Sequence, residues 1–328
     1  MDFRQLEYIL KIAEEGNITR AAEKLYISQS ALNQQLLKLE RELGCQLFRR
    51  FRTDCQLTRA GELYIEGAKN ALLQRKETYQ KIDDEIRFQK YHLTIGLTPG
   101  RGFQMFTDIY PLFHKQFGNV SITPVEKNVQ FQLEAIRRGE LDLGFVTLGS
   151  SQRSSDSFIT LGTEEMVVVI PRLHPLGRKA APPGQPLATI DLRELQYEPF
   201  SLMYKTSTNR QICDAIFQKA GFTPNLLMEP SSTPSLVALV RSTLCCSILP
   251  RFYADPSDPQ LACFALPDHP AWDLCICYRK NSYLSKGAKE FIRLAKEYWD
   301  QYLIPPEGIQ PVDPKSDGTP EHWGRSQG

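Results

Sequence analysis

Short runs of apolar residues near the amino terminus recur every three or four positions, the spacing of helices with one buried face. The first run comprises Leu6, Ile9, Leu10 and Ala13. Gly16 can end this helix, because glycine readily adopts the left-handed backbone of a carboxyl-terminal cap. Thr19 and Ser28 can cap a second and a third helix, and Gly44 can end the third. A short hairpin is expected next, with strands on both sides of residues 52–54.

One long helical segment follows, from about residue 59 to residue 88, without an internal proline. Apolar residues recur along it at spacings of three and four: Tyr64, Ala68, Ala71, Tyr79, Ile82 and Ile86. A single helix of this length has no core of its own, so another element must cover the stripe. We expect that element to be the same helix of a second chain.

Beyond residue 91 short strand-like segments alternate with helical ones. The strand candidates are HLTIGL, VSITPV, LDLGFV, EEMVVVI, PFSLMY, NLLMEP, CCSILP, LACFAL and WDLCICYR. The helical candidates lie near 102–117, 128–139, 207–220, 233–242 and 286–302. This alternation predicts an α/β fold with mainly parallel sheets. The last segment, 304–328, has few residues able to pack and is expected to be a disordered tail.

The third predicted helix combines a leucine face with an unusual polar face. The leucine face comprises Leu32, Leu36, Leu39 and Leu43. The opposite face and its flank carry Gln29, Ser30, Asn33, Gln34, Lys38 and Arg41. Amides and hydroxyls can hydrogen-bond to base edges in the major groove, whereas Lys38 suits phosphate. Ala21 and Ala22 let the preceding helix approach closely, as a helix-turn-helix requires. An ordinary three-helix unit with a polar face is the alternative that this spacing leaves open.

Composition excludes several classes of protein. The chain has 328 residues, enough for two or three domains, and its formal net charge of +1 does not by itself indicate a nucleic-acid partner. The start has no basic leader with an apolar run, and no stretch could span a bilayer, so we expect a cytoplasmic protein without a membrane partner. The five histidines lack metal-ligand spacing, and GxGxxG, P-loop and GxSxG motifs are absent. We therefore expect no enzyme activity, no cofactor and no metal.

The eight cysteines include the neighbours Cys245 and Cys246 and the alternating pair Cys275 and Cys277. In a reducing compartment these are most simply small apolar core residues. Neighbouring thiols could instead sense oxidants if their pKa were lowered, but burial in apolar strands raises the pKa. The structural interpretation is therefore favoured over redox sensing.

The amino-terminal sequence FRQLEYILKIAEEGNITRAAEKLYISQSALNQQLLKLERELGCQLFRR, followed by LTRAG, resembles the signature of LysR-type transcriptional regulators over nearly all of residues 1–61. The order of the remaining segments is similar to that family to about residue 303. The resemblance implies an α/β protein with an all-α winged helix-turn-helix domain, a long dimerising linker helix and a two-lobed effector domain similar to type 2 periplasmic binding proteins.

The resemblance also implies domain boundaries. We expect the winged helix-turn-helix over 1–58, the linker helix over 59–90 and the effector-binding domain over 91–303. Within the last, lobe I would comprise about 91–162 and 267–303, and lobe II about 163–266.

Candidate DNA-binding residues follow from the helical wheel and the resemblance together. They are Thr19, Arg20, Gln29, Ser30, Asn33, Gln34, Lys38, Arg50 and Arg52. Arginines of the hairpin suit phosphates, which position a protein without reading sequence. Three positions depart from the family: Ser30 replaces a usual proline, Asn33 an often-present serine, and Arg52 the wing glycine. Operator preference and wing contacts are therefore expected to differ from the family pattern.

Candidate effector-binding residues lie where strands end and helices begin, because helix N-termini there offer N–H groups and a positive dipole end. They are Thr98, Pro99, Gly100, Arg101, Thr147, Thr206, Ser207 and Thr208. Each hydroxyl could equally be a helix cap and nothing more. The resemblance implies that they converge, and such N-termini favour a small anion. Thr243 and Cys245 replace glycines common in the family and are expected to reshape the cleft.

These patterns indicate a DNA-binding transcriptional regulator whose promoter binding responds to a small, anionic effector. Its expected partners are double-stranded promoter DNA, the effector, a second copy in a dimer, a tetramer built from dimers, and RNA polymerase. The alternative is an α/β solute-binding or metabolite-processing protein whose helical amino terminus mediates protein contacts. Salt-dependent binding to promoter DNA distinguishes the two, because counterion release makes DNA affinity fall steeply with ionic strength.

Overall fold

The structure, a computed structural model, describes residues 2–51, 54–86, 91–149 and 156–303, with Arg50 described by its backbone alone. The chain divides into two compact units, Met1–Phe88 and Gln89–Gly328. None of the described helices combines the length and the apolar character needed to cross a bilayer. The predicted tail, 304–328, lies outside the described residues.

The first unit consists of four helices and a hairpin in the part of the chain that is described. Its elements are α1 (Phe3–Glu15), α2 (Ile18–Lys24), α3 (Gln29–Leu43), β1 (Phe48–Arg50), β2 (Cys55–Leu57) and α4 (Arg59–Ile86). The strands β1 and β2 pair antiparallel, as the predicted hairpin requires. Its core joins α1, α3 and the hairpin through fully buried residues such as Ile9, Leu36 and Phe48.

Most of the predicted helix ends are confirmed, and one is wrong. Gly16 and Gly44 end α1 and α3 with φ of 58° and 69°, and Ser28 caps α3. Thr19 does not cap α2. The helix begins one residue earlier, and the side chain of Asn17 accepts the backbone N–H three residues on. Thr19 therefore lies inside the first turn, where its hydroxyl cannot take the capping position.

Two apolar faces differ from their predictions. On α3, Leu43 is 44% exposed, because it lies in the last turn, beyond the reach of the core beneath Leu36 and Leu39. On α4 the predicted stripe divides in two. Ala68 is fully buried within its own unit, since the first half of α4 packs against α1, whereas Ile82 in the second half is 49% exposed. Only the second half of the stripe is thus open to a second chain.

The second unit contains all nine predicted strands and all five predicted helices. Its strands are β3 (His92–Leu97), β4 (Ser121–Glu126), β5 (Leu143–Leu148), β6 (Ser157–Pro171), β7 (Pro199–Ser201), β8 (Asn225–Met228), β9 (Ser247–Pro250), β10 (Leu261–Phe264) and β11 (Ala271–Tyr278). Its helices are α5 (Arg101–Gln116), α6 (Val129–Arg137), α7 (Thr208–Ala220), α8 (Thr233–Arg241) and α9 (Lys286–Tyr302). The alternation of strands and helices confirms the α/β class.

The prediction of mainly parallel sheets is wrong. The main sheet has the order β10, β6, β11, β5, β3, β4, with β9 also paired to β6. In it β3 pairs parallel with β4 and β5, and every ladder of β6 and β11 is antiparallel. Parallel neighbours need a crossover helix, which α5 and α6 provide for β3, β4 and β5.

The long strand β6 joins two halves of the second unit. Residues 157–165 pair with β11, and residues 166–171 pair with β9 and β10. One strand thus contributes to both groups of elements, so side chains near its middle lie where the two groups meet. Glu164 occupies that position, opposite Trp272 of β11. The exact borders of the two lobes remain a prediction.

Candidate functional site

The polar face of α3 is open to solvent. Gln29, Ser30, Gln34 and Lys38 are exposed, and Asn33 is half-buried. The hydroxyl of Ser30 lies 3.2 Å from that of the capping residue Ser28. The leucine face beneath holds the helix in the core. The opposite surface of α3 is uncharged and hydrogen-bonding in its first turns and carries Lys38 and Arg41 farther along.

The two α2 candidates, Thr19 and Arg20, are also exposed. The Nη2 of Arg20 donates to the carbonyl oxygen of Glu15 at 2.6 Å. This bond satisfies a carbonyl at the end of α1, where no helical partner is available. Arg20 therefore fixes the turn between α1 and α2 and leaves its remaining guanidinium donors at the surface.

The hairpin closes through the N–H of Phe51, which donates to the carbonyl oxygen of Asp54 at 2.9 Å. Arg49 is exposed on β1. The side chain of Arg50, and the whole of Arg52, lie outside the described residues. Their predicted contacts with DNA stay predictions.

Sequence reasoning missed Glu40, which connects α3 to the hairpin. This carboxylate is 8% exposed, and its Oε1 accepts the N–H groups of Leu47 at 2.8 Å and Phe48 at 3.3 Å. In the sequence, a glutamate at the edge of a leucine face is typical of an ordinary surface residue. Only the fold reveals that Glu40 binds the backbone of the hairpin. The contact sets where β1 begins relative to α3.

We expect Glu40→Ala to lower the free energy of unfolding by about 1–3 kcal/mol, because it leaves two buried N–H groups without their acceptor. Glu42→Ala, an exposed neighbour on the same helix, is the matched control and should change stability little. Urea denaturation of both variants measures the difference. Equal urea midpoints for Glu40→Ala and Glu42→Ala would show that Glu40 does not stabilise the hairpin.

All eight predicted effector residues line one cavity of about 180 Å³ in the second unit, named here the polar cavity. Its described lining consists of Thr98, Pro99, Gly100, Arg101, Asn128, Val129, Thr147, Met203, Tyr204, Thr206, Ser207, Thr208, Asn209, Ser231, Ser232, Thr233, Pro234, Tyr253 and Trp272. The lining is rich in hydroxyl groups, and it includes an apolar wall formed by Met203, Tyr253 and Trp272. Residues far apart in the chain thus meet at one place.

Four helices begin at the polar cavity: α5, α6, α7 and α8. Three of them have a capping side chain: Asn128 caps α6, Ser207 caps α7 and Ser232 caps α8. The exception is α5, which follows Gly100; this residue has φ of 76° and provides no side-chain cap. Helix N-termini carry a partial positive charge and unpaired N–H groups. The cavity wall is therefore suited to an anion, above all at the start of α5.

The helix-cap alternative holds for Ser207 but does not account for Thr98. Ser207 accepts the N–H of Arg210 at 3.1 Å, as a capping serine does. Thr98 Oγ1 is buried and has no hydrogen-bond partner among the described residues. Gly102 keeps this hydroxyl in its place, since a Cβ there would lie 2.5 Å from Thr98 Oγ1 and 2.9 Å from Phe145 Cδ1. A buried hydroxyl without a partner is costly, and a ligand atom could satisfy it.

Arg101 lines the cavity but is not a free cation. Its Nη1 lies 2.5 Å from Oε2 of Glu164, and the two side chains are 5% and 2% exposed. The guanidinium carbon lies 4.9 Å from the centre of the Trp272 ring and 5.5 Å from that of Trp299. Nη2 of Arg101 has no hydrogen-bond partner among the described residues.

Sequence reasoning missed several residues of this site. Asn128 and Ser232 each cap a helix that opens at the cavity, and the run from Ser231 to Pro234 carries the usual signal, a serine cap followed by proline. Tyr253 also lines the cavity, and burial raises the pKa of its hydroxyl, so this group is neutral near pH 7. For Glu164 the one available signal is an acidic residue at the start of the predicted apolar segment EEMVVVI.

A larger cavity of about 660 Å³ lies beside α7 and contains none of the predicted residues. Its charged side chains already pair with each other: Asp191 with Arg193 at 2.7 Å, and Lys219 with Asp268 at 2.8 Å. The polar cavity has unsatisfied buried donors and four helix N-termini, so it is the better candidate for a ligand. The described residues contain no cluster of three or more His, Cys, Asp or Glu suited to a metal.

Two further expectations concern cysteines and replaced glycines. Burial raises the pKa of the Cys245 thiol, and raises that of Cys246 to about 12, so both remain protonated and unreactive near neutral pH. This supports the structural interpretation over redox sensing. Neither Thr243 nor Cys245 is among the described residues that line the polar cavity. The expected reshaping of the cleft therefore stays a prediction. Thr243 instead adopts φ of 62°, a backbone that glycine takes without strain.

Comparison with known proteins identifies both units. Residues 3–62 match the model of the bacterial regulatory helix-turn-helix protein, lysR family, and residues 88–300 match the LysR substrate binding domain. The uncharacterized HTH-type transcriptional regulator YwbI of Bacillus subtilis is 31% identical over 306 residues, which cover 92% of this chain and 98% of YwbI. The HTH-type transcriptional regulator BudR of Raoultella terrigena is 28% identical over 90% of this chain and 100% of its own.

Solved structures agree on the fold. Full-length OxyR from Pseudomonas aeruginosa superposes with a TM-score of 0.61 at 22% identity, covering 90% of this chain and 94% of its own. The relatives are transcriptional regulators, so a solute-binding or metabolite-processing protein is not favoured. The chain belongs to the LysR family: it is a DNA-binding transcriptional regulator with an amino-terminal helix-turn-helix domain and a two-lobed effector-binding domain.

Proposed function

We propose that a small anionic effector binds in the polar cavity and changes how this regulator occupies its promoter. The observation that carries the proposal is the meeting of four helix N-termini at one cavity, one of them without a side-chain cap. Such termini stabilise negative charge through their unpaired N–H groups and partial positive charge. Three buried groups of the lining have no hydrogen-bond partner among the described residues: Thr98 Oγ1, Arg101 Nη2 and Asn209 Nδ2. All three are donors that a carboxylate would satisfy.

The DNA-binding half of the proposal rests on the exposed face of α3. Gln29, Gln34 and Asn33 would read base edges, while Lys38 and the hairpin arginines would bind phosphates. Ser30 and the α2 residues Thr19 and Arg20 are also exposed and complete the proposed set. A dimer would place two copies of α3 in successive major grooves of an interrupted inverted repeat.

The proposed assembly is a dimer through the exposed second half of α4, extended to a tetramer by contacts between effector-binding domains. RNA polymerase is a further proposed partner at the promoter. An effector can alter transcription only if it binds one arrangement of the oligomer better than another, and a coupling of about 1–3 kcal/mol suffices for such a response.

The proposal is tested by removing hydroxyls from the cavity wall. Thr98→Val and Thr208→Val keep the side-chain volume and remove one hydrogen-bonding group each. Each should weaken binding of a small carboxylate by about tenfold or more, since a hydrogen bond to a charged group contributes about 1.5–3 kcal/mol. Trp272 lines the cavity, so its fluorescence can report binding of lactate or benzoate directly.

Thr107→Val is the matched control, because Thr107 lies on α5 outside the cavity and its hydroxyl donates to a backbone carbonyl. It should leave the affinity unchanged. Unaltered carboxylate binding in Thr98→Val and Thr208→Val would place the effector elsewhere.

A further inference from the structure

The polar cavity contains little net charge. Arg101 is the only charged side chain among the described residues that line it. That charge is already balanced by Glu164 directly behind it, in a pair that is almost completely buried. The remaining lining is made of neutral hydroxyl, amide and apolar groups. An effector would therefore meet a wall of donors with one compensated cation.

Three donors surround the carboxylate of Glu164. Oε2 accepts from Nη1 of Arg101 at 2.5 Å and from the indole N–H of Trp272 at 2.7 Å. Oε1 accepts the backbone N–H of Phe252 at 2.8 Å. These contacts connect β6 to α5, to β11 and to the short helix Arg251–Tyr253. A carboxylate so well satisfied does not give up Arg101 without a large cost.

What remains for a ligand is enough for one negative charge. Nη2 of Arg101 is buried without a partner among the described residues, and α5 begins beside it without a side-chain cap. One carboxylate can accept hydrogen bonds both from Nη2 of Arg101 and from the N–H groups at the start of α5. A second carboxylate would lose its hydration and find no further cation in the described lining. The N-termini of α6, α7 and α8 already have side-chain caps, and the negative charge of Glu164 would repel a second carboxylate. Burial of an uncompensated charge is strongly unfavourable.

We propose that Glu164 restricts the effector of this regulator to a monoanion. Such an effector is a small monocarboxylate whose uncharged part contacts the hydroxyl groups and the apolar wall of the polar cavity. This inference rests on the proposed binding of an anion in the polar cavity. It makes Glu164 a specificity-determining residue that acts by compensating Arg101 and does not itself have to touch the ligand. Dicarboxylates of similar size should be rejected.

Matched pairs of probes test the charge limit: lactate against malate, and benzoate against phthalate. Each pair differs by one carboxylate. Dissociation constants are measured by tryptophan fluorescence on the full-length wild-type chain and on Glu164→Gln. The amide keeps the shape and an acceptor oxygen but removes the charge. We expect the wild type to bind each monoanion at least tenfold more tightly than its dianion, and Glu164→Gln to reduce that ratio at least tenfold.

Glu165→Gln is the matched control, since Glu165 neighbours Glu164 on β6 but pairs with His269 at 2.7 Å outside the cavity. Glu165→Gln should retain the wild-type ratio of monoanion affinity to dianion affinity. The wild-type comparison needs no variant, so the inference is testable even if Glu164→Gln fails to fold.

Two sets of outcomes separate the inference from the proposed function. If monoanion and dianion bind the wild type equally, or the ratio is the same in a folded Glu164→Gln, the charge limit is wrong while the cavity remains an anion site. If the probes bind but Thr98→Val and Thr208→Val leave every affinity unchanged, the polar cavity is not the binding site. Absence of binding by all four probes at millimolar concentration would contradict both.

Discussion

Replacing Ile82 and Ile86 together by Asp should abolish dimerisation and, with it, specific DNA binding. The two side chains are 49% and 56% exposed in the single chain, and Tyr79 beside them is 61% exposed. Large apolar side chains in a row on one helix face indicate an interface. In a two-fold dimer each Asp would face its own copy or its neighbour, so four carboxylates would enter one apolar seam at a cost of several kcal/mol.

The measurement is sedimentation together with a footprint on the promoter. A protein that binds DNA through two half-sites loses most of its affinity when it becomes a monomer, since the second contact is no longer intramolecular. Asn70→Asp with Gln74→Asp is the control, because it adds the same charge at the same spacing on an exposed part of α4 away from the stripe. If the Ile82 and Ile86 double variant still sediments as a dimer and protects both half-sites, α4 is not the interface.

The second large effect is expected on the recognition surface of α3. Gln34→Ala should weaken binding to the specific site by about 1–3 kcal/mol and leave affinity for random DNA almost unchanged, because its amide reads base edges. Lys38→Ala should weaken binding to both kinds of DNA and reduce the dependence of affinity on salt, because a phosphate contact carries no sequence information.

Fluorescence anisotropy with labelled specific and random duplexes, at several salt concentrations, separates the two behaviours. Ser30→Ala is a useful third variant. Its hydroxyl is within hydrogen-bonding distance of Ser28, so a loss of stability without a loss of specificity would assign it to the cap. Equal losses on both duplexes for Gln34→Ala and Lys38→Ala would mean that α3 does not read bases.

Local features of the fold were predictable because they depend on residues close in sequence. Gly16, Gly44 and Ser28 each act through contacts within one turn, so their roles as caps followed from residue type. The exception, Thr19, shows the limit of this reasoning. Asn17 and Thr19 lie two residues apart, and both residue types are good helix caps. Which of them caps α2 depends on where the turn after α1 ends.

Features that depend on distant residues were not predictable in the same way. Strand segments do not reveal their direction, so the antiparallel ladders of β6 and β11 could not be read from the alternation of strands and helices. Arg101 was predicted as a cradle for an anion, but its partner Glu164 lies 63 residues away and changes what that cation can do. The eight effector candidates could be named because strand ends and helix starts are local signals, while their meeting at one cavity required the fold.

The most direct test of the account is a footprint of the promoter with and without lactate or benzoate, for the wild type and for the variant that carries both Thr98→Val and Thr208→Val. We predict protection of two half-sites by both proteins, and a change in the protected pattern on adding the monocarboxylate for the wild type alone. An identical wild-type footprint with and without the monocarboxylates, or an equal response in the variant, would contradict the claim that a ligand in the polar cavity controls promoter binding.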